Sequence, residues 1–176
     1  MTCLALLAAC GTDPSLPTVS APPPAEERDV TIGGATAPTH PVPYVTESEV
    51  SIAPSIDYCE LMTDPAARAG RLIRVRGSYV ANFELSFLAD YRCFDERPQT
   101  WVQFHRSSIR RLSLPTMLET IDDVQSDGGP VLDVAFVGFF EGGGRDRTRF
   151  GHFGRFGYQF VVVSIERAVE HAAKPR

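Results

Sequence analysis

The residues of this chain best suited to chemistry lie between Gly142 and Tyr158. There Arg145, Arg147, Arg149 and Arg155 alternate with Phe150, Phe153, Phe156 and Tyr158 among several glycines. Guanidinium groups pair with phosphates and carboxylates, and aromatic faces stack on bases or sugar rings. Arg147, Arg149, His152, Arg155 and Tyr158 are therefore the candidate binding residues. The competing reading is a hairpin whose Phe side chains cover a barrel end while its Arg side chains keep it soluble. Catalysis has less to rest on. His105, His152 and Glu141 would have to meet to hold a metal, and no ligand spacing joins them. Ser107 and Ser108 lack the Gly-x-Ser-x-Gly setting of a nucleophile turn. The expectation is a protein without cofactor, metal or enzymatic activity.

A binding segment needs a rigid frame, and the frame starts at Leu72. From Leu72 to Ala81, Ile73, Val75 and Tyr79 share one side of a strand with Gly77 between them, while Arg74, Arg76 and Ser78 share the other. A period of two with one apolar face belongs to an antiparallel sheet or a small barrel. Upstream, Ile56 to Met62 suits a short strand or a helical turn. Asp64, Pro65 and Gly70 are the capping, first-position and exit residues of a short helix. Leu85 to Cys93 alternates as a second strand, with Leu85, Phe87, Ala89, Tyr91 and Cys93 on its apolar side. Thr100 to His105 is a third strand. Thr116 and Glu119 have capping-box spacing, and Met117, Leu118, Ile121 and Val124 form a stripe that predicts a helix over 117–125. Val131 to Glu141 is an almost continuous apolar run, hence a central strand, with Gly138 as the site of a bend or bulge. Tyr158 to Arg167 closes the series with Val161, Val163 and Ile165 inward.

Five strands with a helix between the third and fourth resemble the OB-fold, a small Greek-key barrel. The expected fold is mainly β: a five-stranded OB-like barrel with one or two short helices over residues 55–170, a tail over 171–176, and a disordered tether ahead of it. In OB-folds the loop between the last two strands often borders the ligand face. The resemblance thus implies that the Arg- and Phe-rich segment lies beside such a face. Gly70-Arg71 before the first strand, and Gly151-His152-Phe153-Gly154 with Tyr158 before the last, also resemble small OB-like bacterial lipoproteins. That group brings a fold and no assigned molecular function.

The amino terminus reads as an address. Leu4 to Ala9 is too short an apolar run to span a bilayer, which takes about 20 residues, and is of signal-peptide length. Leu7-Ala8-Ala9-Cys10 resembles the lipobox of bacterial lipoproteins, in which the chain is cut before the cysteine and its sulfur carries diacylglycerol. The resemblance implies residues 1–9 as signal, Cys10 as the lipidated residue, and a membrane as the first partner through two or three acyl chains. Lys and Arg are missing before the apolar run, which predicts a translation start upstream of Met1. Gly11 rather than Asp after Cys10 implies sorting to the outer membrane by the enterobacterial pattern.

Residues 10–54 contain nine of the fourteen prolines, with Ser, Thr, Ala and Glu filling much of the rest. Such a composition buries too little apolar surface to order itself and predicts an extended tether. The net charge of −5 belongs to this part of the chain: residues 1–58 hold one basic and seven acidic residues, whereas 59–176 are close to neutral. A near-neutral domain lacks the basic surplus of a general polyanion binder. Once Cys3 leaves with the signal and Cys10 is lipidated, Cys59 and Cys93 remain, and an exported domain with one such pair forms a disulfide. The function expected is a membrane-anchored envelope lipoprotein, of the outer membrane, whose barrel binds a partner protein or an anionic glycan of the envelope. The alternatives are an envelope hydrolase and a module for oligosaccharides or single-stranded nucleic acid, the latter disfavoured by location.

Overall fold

The stretch 41–54, expected as the end of the tether, is folded. A computed structural model of the chain describes residues 41–82, 84–93, 100–127, 129–142 and 149–171, all in one compact unit. In it Thr46 starts a helix, α1 (Glu47–Ile52), through a complete capping box. Thr46 Oγ1 accepts the Glu49 N–H at 3.3 Å, and the Glu49 carboxylate accepts the Thr46 N–H at 2.8 Å. Val45 and Val50, on either side of the cap, are both buried and pack as a hydrophobic staple with Ala53 against Val137 and Val163. The tether boundary at Pro54 is therefore corrected: the proline-rich composition concealed a capped helix. Residues 10–40 lie outside the described residues.

Next come β1 (Ser55–Asp57), α2 (Tyr58–Leu61), a 3-10 turn at Ala66–Arg68, β2 (Leu72–Ala81), β3 (Ser86–Ala89), β4 (Thr100–Phe104), α3 (Arg106–Leu112), α4 (Pro115–Asp127), β5 (Leu132–Gly142) and β6 (Tyr158–Glu170). The segment Ile56–Met62 is thus both strand and helical turn. Asp57 caps α2 by accepting the Cys59 N–H at 3.0 Å. α4 begins at Pro115, so Thr116 lies within the helix rather than capping it. Proline suits this place because the first turn leaves its N–H groups unbonded anyway.

Strands β2, β3, β4, β6 and β5 pair in that order, and β5 pairs back to β2, closing a ring; β1 adds outside it, parallel to β2. All pairs in the ring are antiparallel except β4–β6. Numbering the ring strands one to five gives the order 1-2-3-5-4-1 with helices between the third and fourth, the OB-fold arrangement expected. The interior is filled by Ile73, Val75, Tyr79, Leu88, Val102, Val134, Phe136, Phe140, Phe160, Val162 and Ile165, with Tyr58 and Leu61 of α2 and Ile121 and Val124 of α4 in the same cluster.

Two faces differ from expectation. In β3 the interior receives Leu88 and the buried hydroxyl of Ser86, which meets Tyr79 Oη at 2.9 Å and donates to the Val102 carbonyl at 3.1 Å. Phe87 and Ala89 point to the outside, under a separate cover. Alternation misassigned the faces because all four residues are buried. In β6 the inward set is Phe160, Val162, Ile165 and Ala168 rather than Val161, Val163 and Ile165. The spacing of two, then three, then three arises from two register shifts opposite Ala135–Gly138. Val163 and Glu166 are the extra residues, and each bulge turns the following side chains over. Gly138 sits at one shift, where a Cβ would lie 2.2 Å from the Val161 carbonyl oxygen.

Candidate functional site

The Arg- and Phe-rich segment folds back onto the barrel wall. Phe150 and Phe156 form an antiparallel bridge, with N–H···O distances of 2.9 and 3.2 Å. Both side chains are buried, and they cover Phe87, Ala89 and Trp101 on the outer face of β3 and β4. Gly151 lies on the Trp101 ring so closely that a Cβ there would sit 2.5 Å from it, and its φ of +70° also favours glycine. The tip turns through Gly154 (φ +60°) and Phe153, a non-glycine residue held at φ +59°. Phe153 is 79% exposed, and the Arg155 guanidinium lies 5.8 Å above its ring.

The candidate binding residues are thereby separated. Arg149 and Arg155 are exposed on the hairpin. His152 occupies the short turn at its tip. Tyr158 is not with them: as the first residue of β6 it points to the interior side, stacked on Phe140 with centroids 5.5 Å apart and planes 18° apart. Strand alternation assigns it there, two residues before Phe160. Arg147 and Cys10 lie outside the described residues. His105 is engaged locally, its Nδ1 2.7 Å from Ser108 Oγ in the first turn of α3.

Beneath and beside the hairpin runs a cross-strand row that sequence reading did not find. Register pairs Phe87 with Trp101, Trp101 with Gln159, and Gln159 with Glu141, so the four side chains share the outer face of β3, β4, β6 and β5. Gln159 is fully buried, and its Nε2 donates to Glu141 Oε2 at 3.3 Å. Three shielded polar atoms in this region have no partner: Trp101 Nε1, Gln159 Oε1 and Gln103 Oε1, the last two residues along β4 and on the same face. Assembled from four strands, this row had no signal in local periodicity beyond a glutamine inside an apolar run.

Other clusters are satisfied internally. Asp57, Cys59 and Asp90 offer ligand atoms within 4.8 Å of one another. However, Cys59 is bonded to Cys93, as expected, with a Cα separation of 5.8 Å, and Arg92 pairs with both carboxylates. Its hydrogen bonds hold the Asp90 carboxyl below the usual range. A shallow cleft of about 410 Å3 lies between Glu47, Arg111, Leu114 and Glu166. Two of its charged residues are engaged, Glu166 by Arg74 and Arg111 by the Val45 carbonyl at 2.6 Å. Inside the barrel, burial pushes the Tyr58 and Tyr79 hydroxyls up to about 12, against the opposing effect of their hydrogen bonds to Thr100 and Ser86. These hydroxyls are protonated structural links. Compared with protein-family models, curated proteins and solved structures, the chain matches none.

Proposed function

We propose that this chain is a lipid-anchored protein of the bacterial cell envelope, of the outer membrane, and that its OB-like barrel is a binding module. The observation that carries this reading is the Cys59–Cys93 disulfide, which ties α2 to the turn after β3. Such a bond persists in an oxidising compartment and is rare in the cytosol. It leaves Cys10, in its lipobox-like setting, as the thiol for the acyl anchor. The exposed Arg149 and Arg155 at the hairpin supply contacts for an envelope component, and the pairing of Arg92 with Asp57 and Asp90 argues against catalytic work for those carboxylates.

Two measurements test this. Metabolic labelling with a palmitate analogue should mark the wild type and leave Cys10→Ala unmarked, with the wild type in the membrane fraction. An unmarked cytosolic wild type sinks the reading. Crosslinking in intact cells should lose its adducts in an Arg149→Ala/Arg155→Ala variant; adducts that persist unchanged remove the hairpin from the binding role.

A further inference from the structure

A buried donor or acceptor without a partner is uncommon in a folded protein and calls for a physical reason. Here three occur together, on neighbouring positions of β4 and β6: the N–H of Trp101 and the amide oxygens of Gln159 and Gln103. Gln159 is fully buried and Trp101 is 4% exposed, so bulk water does not serve them. The Gln159 amide is oriented by Glu141, which takes its N–H and leaves the oxygen over. Half-buried Glu141 lies opposite it on β5, Trp101 opposite it on β4, and half-buried Gln103 two residues beyond Trp101. The unmet requirement is one acceptor for an indole N–H and two donors for amide oxygens. Around these atoms stand the aromatic surfaces of Trp101, Phe87 and Phe156.

We propose that this row is the floor of a site for an N-acetylated sugar unit of an envelope glycan. An acetamido group carries an acceptor carbonyl for Trp101 Nε1 and a donor N–H for one amide oxygen. A ring hydroxyl supplies the second donor, and the aromatic rings pack on the methyl group and the apolar sugar face. The hairpin Arg149–Gly157 forms the roof over Trp101 and swings aside on binding; its tip carries Phe153 in a left-handed conformation that costs energy in the closed state. The choice of an envelope glycan rests on the location proposed above, whereas the recognition chemistry does not.

Trp101 is the single tryptophan of the chain and reports directly on this site. The purified full-length chain is titrated with a β-1,4 tetramer of N-acetylglucosamine, with the glucose and glucosamine tetramers of the same linkage, and with oligothymidine. A saturable change in Trp101 emission is expected for the N-acetylated tetramer, at least about tenfold stronger binding than for the other two sugars, and none for oligothymidine. Gln159→Met, of similar volume, should weaken binding about tenfold; Gln103→Met is the second variant if the first misfolds. Absence of saturable binding by both fluorescence and calorimetry overturns the proposal, as does equal response to all sugars or a response to oligothymidine alone. A Gln159→Met protein that gains stability while no sugar binds assigns the three atoms to an ordered water and also overturns it. Failure of palmitate labelling with intact sugar binding removes the location and leaves this site standing.

Discussion

Arg74 grips Glu166 with two parallel hydrogen bonds, Nε to Oε2 at 2.6 Å and Nη2 to Oε1 at 2.8 Å. The same guanidinium donates to the carbonyls of Ala53 at 2.7 Å and Val50 at 2.9 Å, the carbonyl end of α1. One side chain thus joins β2, β6 and the leading helix. Glu166 reaches it because it is one of the two extra residues in the β6 bulges; the other, Val163, packs under α1.

Replacing Arg74 with Met should therefore cost more than a surface pair. With side-chain exposures of 16% and 33%, the pair is partly screened, and a loss of about 1–3 kcal/mol in urea unfolding is expected. Hydrogen exchange should rise first at the α1 amides. Glu166→Gln, which can still accept, should cost less; an equal or larger cost would place the energy elsewhere.

Alkaline pH should unfold the barrel through two interior hydroxyls. Tyr58 and Tyr79 are raised to about 12 in the folded chain, above an unfolded value of about 10. Their protonated forms stabilise fully below pH 10, and that contribution is lost as pH rises through 12. Stability measured from pH 8 to 12 should fall above 10, and Tyr58→Phe or Tyr79→Phe should each flatten the decline.

The acid limb has the opposite sign. Hydrogen bonds from Arg92, chiefly from its side chain, lower the Asp90 carboxyl below its ordinary value of 3.8. The stabilisation is present above that value and is lost as pH falls through the lower folded value. Asp90→Asn should reduce the pH dependence of stability below pH 4 and lower the stability itself at neutral pH.

Reduction of Cys59–Cys93 releases a crosslink across a sequence separation of 34. The chain-entropy relation assigns about 3–4 kcal/mol to a loop of this length. A Cys59→Ser/Cys93→Ser variant should lose that amount in denaturant titration, and dithiothreitol should affect the wild type only.

Two glycines should separate barrel from roof. Alanine at Gly138 would push a Cβ into the β6 backbone, and the protein should fail to fold. Alanine at Gly151 would meet the Trp101 and Phe156 rings, not a strand backbone, at a strained φ. That variant should keep the barrel's far-ultraviolet signal while Trp101 emission shifts to the red as the hairpin lifts.

Much of the frame is written in local pattern. The limits of β2 were legible because Ile73, Val75 and Tyr79 alternate with Arg74, Arg76 and Ser78. Order failed where both faces are covered: Phe87 and Leu88 are equally apolar and point opposite ways, and the β6 bulges break the period that would have assigned Val163. α1 carried a readable signal, Val45 and Val50 flanking Thr46 with Glu49, overshadowed by the prolines around it. The row from Phe87 to Glu141 was not readable at all, since it exists only once three registers are set. Tyr158 was grouped with Arg149 and Arg155 by proximity in the chain, which a strand overrides.

The last strand is also the one that seals the ring, because β6 lies between β4 and β5. A polypeptide delivered amino end first has nothing to close until residue 170 arrives, and every shorter length leaves an open meander with two bare rims. Protection by a holding chaperone would then be needed until the carboxyl end emerges, and a ribosome stalled shortly before it would release a sticky, sheet-forming fragment rather than a smaller version of the domain.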